Sequence, residues 1–189
     1  DNHEPITSFT QRATAGAPYF LCVGGREGTK NFVPLLMAYA RWPGRHDVHI
    51  LSVGGGPLTN QENAILRALR LSSLVHCIPA LSNDELILAY NGAAGCIVPS
   101  LYEGFGFPVL EALACGAPVA AADVSSLPEV GGDAAIYFDP TDNDDMLRAI
   151  QDLAAVTKPS PQVDRGLTRA RELTWSQTTN RIIAIVSDI

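Results

Sequence analysis

The sequence predicts an α/β fold: a doubly wound, mainly parallel sheet of six strands with helices on both faces. Three observations carry this. Six short apolar runs recur along the chain, several of them closed at once by glycine or proline. Each run leads into a stretch with helical spacing, so strand and helix alternate. The chain has no internal repeat and no low-complexity segment, which excludes a repeat array.

Composition agrees with one domain. The 189 residues are 47% hydrophobic, enough for a sizeable core. The net charge of −7 argues against nucleic acid and against a polybasic membrane anchor. No apolar run approaches the length of a membrane span, and no signal-peptide pattern opens the chain. The four cysteines, Cys22, Cys77, Cys96 and Cys115, are widely spaced without a Cys-x-x-Cys pair. They read as small buried hydrophobes of a reducing compartment, not as zinc ligands or disulfides.

Residues 1–18 are polar and lack clear periodicity, so a leader or linker is expected there, with the folded domain over 19–189. Tyr19 to Val23 is the first strand, closed by Gly24. The loop Gly24-Gly25-Arg26-Glu27-Gly28-Thr29-Lys30 follows, then a helix from about Asn31 to Arg41. Asp47 to Val53 is the second strand. The Gly54-Gly55-Gly56-Pro57 loop behind it suits a tight turn, or alternatively close approach of a nucleotide, with the turn favoured. A helix follows over Asn60 to Leu71. Leu74 to Ile78 is the third strand, and Ser82 with Glu85 forms a capping box at the head of the next helix.

Ala94 to Val98 is the fourth strand, Ala117 to Ala121 the fifth and Ala134 to Phe138 the sixth. A short helix starts near Ser125. Asp142-Asn143-Asp144 has the form of an Asp-x-Asp metal motif, but its place before the helical run Met146 to Ala155 favours a helix cap. Two more helices are expected over Ser160 to Leu173 and Trp175 to Ile189, with Trp175 packed in the core.

The stretch from Pro99 to Ala112 organises the chain. It joins the fourth strand to a helix beginning near Phe107, with Pro108 in the first turn, where its missing N–H costs nothing. The free N–H groups near Gly106 and Phe107 suit an anion. Gly104 and Gly106 allow a ligand close to the backbone. Glu103 in the loop and Glu111 early in the helix lie near the carboxyl end of the strand, where open α/β sheets bind ligands. The plainer reading makes Glu111 a first-turn acid favoured by the helix dipole and Glu103 a solvated loop residue. An anion cradle between two carboxylates suits a ligand with phosphates at one part and hydroxyls at another. In the first loop, Arg26 offers a planar fork and Lys30 a mobile point charge, a pair able to neutralise a diphosphate.

The segments VGGREGTKN, VGGGP, PSLYEGFGFPVLEALACGAPV and SSLPEVGGDAAIYFDP, in this order, resemble the retaining glycosyltransferases of family 4 (group 1). The likeness is to their C-terminal, donor-binding domain, one Rossmann-like half of a GT-B fold, and covers nearly the whole chain. The resemblance implies a UDP-, GDP- or ADP-sugar donor, no metal and no other cofactor. It implies transfer to a glycan or lipid-linked acceptor in polysaccharide or glycolipid synthesis. Arg26 and Lys30 would hold the diphosphate and, with Glu103 at the sugar, form the catalytic set. Donor contacts would come from Gly25, Arg26, Lys30, Ala80, Leu81, Glu103, Gly104, Phe105, Gly106, Phe107, Pro108 and Glu111, the last at the ribose. Ala80 stands where the family commonly has glycine, which leaves the base open. The acceptor site would belong to an N-terminal GT-B domain absent from this chain. The implied place is the cytoplasm, with any membrane contact peripheral and through that other half. A non-catalytic nucleotide-sugar binding module is the alternative. A glycosidase-like carboxylate pair fits less well, because the cations and helix N-terminus suit an anionic leaving group.

Overall fold

The computed structural model of the protein describes residues 7–179 and 183. Six strands form one parallel sheet: β1 (Tyr19–Val23), β2 (His49–Val53), β3 (Val75–Ile78), β4 (Gly95–Val98), β5 (Val119–Ala122) and β6 (Ala135–Phe138). Their spatial order is β3-β2-β1-β4-β5-β6. The order reverses between β1 and β4, so the loops leaving these two strands diverge and open a crevice at their carboxyl ends. Register is direct: Leu21 lies opposite Leu51 on one side and Cys96 on the other.

The helices are α1 (Thr7–Ala13), α2 (Phe32–Arg41), α3 (Asn60–Ala68), α4 (Asn83–Gly92), α5 (Phe107–Ala114), α6 (Leu127–Gly131), α7 (Asn143–Ala155) and α8 (Pro161–Glu172). On one face α2 packs with α3 and α7; on the other α5 packs with α4, α6 and α8. The central strands β1, β4 and β5 are apolar runs without alternation because both faces are covered. Phe20, Leu21, Ile50, Leu51 and Ile97 are at most 1% exposed, and such side chains contribute roughly 1.5–3 kcal/mol each. Burial outweighs local preference in β5, where three consecutive alanines, Ala120 to Ala122, form a fully buried strand.

Local chemistry sets the helix starts. Ser82 and Glu85 make the expected capping box on α4. The Asp142 carboxylate accepts from the N–H groups of Asp144 and Asp145, so the Asp-x-Asp sequence caps α7. Thr59 and Glu62 form a second capping box, on α3.

Two expectations are corrected. Residues 7–13, read as part of a leader, form α1, which packs against α4; a single short helix lends too few turns for periodicity to show. Trp175, expected in the core, is 79% exposed. Residues 175–179 are helical, as is 183, but 180–182 and 184–189 of the expected last helix lie outside the described residues. Among the described residues, no helix is long and apolar enough to cross a membrane.

Candidate functional site

Two loops meet at the crevice between β1 and β4. The loop after β1 closes in a single turn over Gly28–Lys30, and Asn31 takes a left-handed conformation (φ 57°) before α2 begins. The buried Asn31 amide donates to the Pro140 carbonyl at 2.8 Å and so anchors the end of this loop. The loop after β4 is stitched to it, because the Leu101 N–H donates to the Thr29 carbonyl at 2.7 Å. The stitching brings together side chains 73 residues apart. Lys30 Nζ lies 2.7 Å from Glu103 Oε1. The buried Ser100 hydroxyl donates to the same oxygen at 2.7 Å. Glu103 Oε2 has no hydrogen-bond partner among the described residues, so its lone pairs remain open to a ligand hydroxyl. The Lys30 side chain is 31% exposed, which leaves it accessible to an anion and partly screened by water. Gly24, Gly25, Lys30, Ser52 and Ser100 line a small cavity at this point.

Further partners hold Glu103. Its N–H donates to the Ser125 hydroxyl at 3.1 Å, and its carbonyl accepts from the Ser126 hydroxyl at 3.0 Å. Gly106 then caps α5 with φ 96°. A side chain there would be strained, and its Cβ would sit 2.9 Å from Leu127. Pro108 occupies the first turn of α5, as its sequence position predicts. The Gly106 and Phe107 N–H groups have no partner among the described residues and stand at the positive end of the helix dipole. Gly104 meets nothing within 4 Å of an added Cβ. Phe105 and Phe107 are exposed, with ring centroids 4.9 Å apart.

With this geometry in view, comparison with known proteins places the chain. The sequence profile of the family described as Glycosyl transferases group 1 matches residues 5–161. The chain belongs to the group 1 glycosyl transferases. It is 31% identical over 183 residues to the O-antigen chain mannosyltransferase B of Escherichia coli, a match covering 95% of this chain and 48% of that protein. It is also 31% identical over 156 residues to an MMP alpha-(1->4)-mannosyltransferase of Mycolicibacterium hassiacum, covering 80% of this chain and 38% of the relative. Sucrose-phosphate synthase from Thermosynechococcus elongatus superposes with a TM-score of 0.77 at 26% identity, covering 92% of this chain and 46% of that one. A trehalose 6-phosphate synthase from Burkholderia multivorans superposes with a TM-score of 0.82 at 14% identity, a likeness of fold. The chain spans about half the length, or less, of these relatives. Its sheet with helices on both faces is the Rossmann-like half of a GT-B fold.

Within this glycosyl transferase domain the expected residues divide into three places. Lys30 and Gly25 line the cavity with Ser100, and Glu103 joins them through its bonds to Lys30 and Ser100. Glu111 lies apart from them, in a groove between α4 and α5 lined by Asn83, Leu86, Ile87, Tyr90 and Cys115. Its Oε2 accepts from the Tyr90 hydroxyl at 2.9 Å. Burial, then the neighbouring Cys96 and Glu111, push the Tyr90 hydroxyl far above its usual range, so it stays a proton donor. Ala80 is exposed and Leu81 half-buried just before α4, and neither lines this groove.

Arg26 is in the third place. It is 6% exposed and does not line the cavity. Its Nε lies 2.7 Å from Glu62 Oε1, and its other nitrogens donate to the carbonyls of Gly54 (2.8 Å), Gly55 (3.2 Å), Gly56 (3.1 Å) and Pro57 (3.1 Å). Burial disfavours the charge on both partners. Burial is the largest single influence on each, but the mutual bond and the neighbouring charges together outweigh it, so the Arg26 pKa is raised and the Glu62 pKa lowered, with the Thr59 bonds helping the latter.

The sequence reading missed Ser100, Ser125, Ser126, Glu62 and Tyr90. The two adjacent serines, Ser125 and Ser126, open the SSLPEVGGDAAIYFDP segment, where the local pattern marks only a helix start. The capping spacing from Thr59 to Glu62 was a usable signal that the glycine run overshadowed.

Proposed function

We propose that the chain is the donor-binding half of a retaining glycosyltransferase of family 4, which moves a sugar from a nucleoside diphosphate to an acceptor hydroxyl. The observation that carries this is the Lys30–Glu103–Ser100 cluster at the switch point of the sheet, beside the N-terminus of α5. Such a crevice presents a cation and helix N–H groups to phosphate oxygens, and a carboxylate with open lone pairs to sugar hydroxyls. Lys30 with the Gly106 and Phe107 N–H groups takes the diphosphate. Glu103 contacts the sugar near its reacting carbon. Glu111 accepts from the ribose hydroxyls, with the base toward Ala80 and Leu81. The names of the relatives favour mannose as the sugar, and an O-antigen or related glycan as the product.

In the reaction the bond from the anomeric carbon to the diphosphate oxygen breaks, and the leaving group takes the electron pair. The acceptor oxygen bonds to the same carbon on the same face and passes its proton to the leaving diphosphate oxygen. Negative charge grows on the diphosphate, where Lys30 and the helix N-terminus oppose it. Positive charge grows on the sugar ring, where the Glu103 carboxylate stabilises it without bonding covalently. A second domain supplies the acceptor site, and the exposed Leu101, Tyr102, Phe105 and Phe107 are the surface it would cover.

The test is a calorimetric titration of this chain with UDP, GDP and ADP and with the corresponding nucleosides. One diphosphate should bind selectively and at least roughly tenfold more tightly than its nucleoside, the value of one charge-assisted contact. Equal affinity for nucleoside and diphosphate would overturn the proposed phosphate site. The mannose and glucose conjugates of that diphosphate then compare the sugars.

A further inference from the structure

We propose that Arg26 is a positioning residue: it clamps the glycine loop after β2 against the turn after β1 and thereby holds the wall of the Lys30 cavity, without itself touching the donor. The inference deepens the donor-site reading and rests on it for its ligand arm alone.

The guanidinium is surrounded. Four successive carbonyls, from Gly54 to Pro57, and the Glu62 carboxylate converge on its nitrogens. The chain turns its carbonyls inward only because Gly54, Gly55 and Gly56 all take positive φ, at 98°, 73° and 70°. A Cβ on Gly55 would lie 2.8 Å from Arg26 Nη1, so a larger residue there would push against the guanidinium besides straining the backbone. Glu62 is held in turn by the Thr59 N–H at 2.7 Å. To reach a phosphate the guanidinium would have to abandon five acceptors and leave the Glu62 charge half-buried and unpaired, which is costly.

The clamped loop touches the cavity wall. The Gly24 N–H donates to the Val53 carbonyl at 2.9 Å, at the root of the loop. A Cβ on Gly54 would stand only 3.0 Å from the Gly24 carbonyl oxygen, so the two backbones are in close apposition. Gly24 and Gly25 line the cavity with Lys30, and a Cβ on Gly24 would come 3.9 Å from Lys30 Nζ. Arg26 thus acts on the cavity through Gly54 and Gly24. Lys30 is the one basic side chain lining that cavity among the described residues.

Arg26→Ala cannot decide the matter alone, since loss of a phosphate contact and loss of a clamp both weaken binding. Glu62→Gln and Arg26→Lys can. A phosphate-gripping Arg26 is freed by Glu62→Gln, which would then tighten or preserve binding of the nucleoside diphosphate; Arg26→Lys would keep much of it. A clamp predicts roughly tenfold weakening in Glu62→Gln, little rescue by Arg26→Lys, and a double variant no weaker than the worse single one. Tighter or unchanged binding in Glu62→Gln would overturn the proposal.

A ligand-free arm separates this from failure of the donor site. Amide exchange at Gly24 and Gly54 in the free protein should accelerate in Glu62→Gln and Arg26→Lys, with the fold intact by circular dichroism. Unchanged exchange at Gly24 would overturn the clamp whether or not any nucleotide binds. Accelerated exchange with no nucleotide binding by the unsubstituted chain would sustain the clamp and defeat the donor reading.

Discussion

At the scale of single residues, the crevice is electrostatically balanced before any ligand arrives. Lys30 and Glu103 neutralise each other across 2.7 Å, and Arg26 and Glu62 do the same behind the cavity wall. The first pair is the one proposed to meet the donor, and its balance yields an asymmetric prediction. Glu103→Gln removes the counter-ion of Lys30. It should therefore tighten binding of a bare nucleoside diphosphate, by a few-fold at the strength of a partly exposed ion pair of about 1 kcal/mol. The same change should weaken the sugar-bearing donor relative to the bare diphosphate, because it removes the carboxylate proposed to face the sugar. Parallel titrations of the two ligands check this; equal shifts for both would count against separate roles. The second pair makes a pH prediction. The Glu62 pKa lies below its ordinary value of 4.5 in the folded chain. Its contribution is therefore present above 4.5 and is lost as pH falls through the lowered folded value. Acid unfolding of Glu62→Gln should be less steep in that window.

At the scale of elements, the loops and helix ends do most of the placing. Gly106→Ala imposes left-handed backbone on a residue with a side chain and drives its Cβ against Leu127. A stability loss of roughly 1–3 kcal/mol is expected in denaturant unfolding, with α5 and its N–H groups displaced. At the sheet edge, His49 on β2 stacks on His76 on β3, with Nδ1 of the first 3.0 Å from Nε2 of the second. One ring donates and the other accepts, so both cannot be charged comfortably. Burial lowers both pKa values from 6.5, with His46 adding to the effect on His49 and His49 to that on His76. These groups protonate more readily unfolded, so stability is full above pH 6.5 and declines below it, by at most about 1.4 kcal/mol per pH unit for each ring. His76→Gln should flatten the decline between pH 7 and pH 5.

What the sequence made legible follows the same division. The six strands could be placed because runs such as Tyr19 to Val23 are wholly apolar and end at a glycine. The α5 start could be placed because Pro108 tolerates the first turn and little else. The contact of Lys30 with Glu103 could be expected only as shared proximity to a crevice. It depends on β1 lying beside β4, which no local pattern encodes. The direction taken by Arg26 was hidden altogether. It is set by three successive positive φ angles, and a glycine run permits such angles without requiring them. Trp175 misled for the opposite reason: a large aromatic after a cap reads as core unless its neighbours are known.

At the scale of the molecule, the chain is one Rossmann-like half whose relatives are about twice as long or longer. Its switch-point crevice opens at the carboxyl ends of β1 and β4, and its exposed aromatic loop stands beside that crevice. If a second domain completes the enzyme, this chain should bind donor yet transfer sugar far more slowly than the two parts together. Adding the other half as a separate chain, and measuring release of the nucleoside diphosphate, checks that. The most direct test of the central claim is narrower. Nucleoside diphosphate is titrated calorimetrically into this chain and into Lys30→Met, at low and at high salt. Binding to the unsubstituted chain should saturate and weaken with salt, and binding to Lys30→Met should be at least roughly tenfold weaker with a flatter salt dependence. Equal affinity in the two proteins would contradict the placing of the donor diphosphate at the β1–β4 crevice.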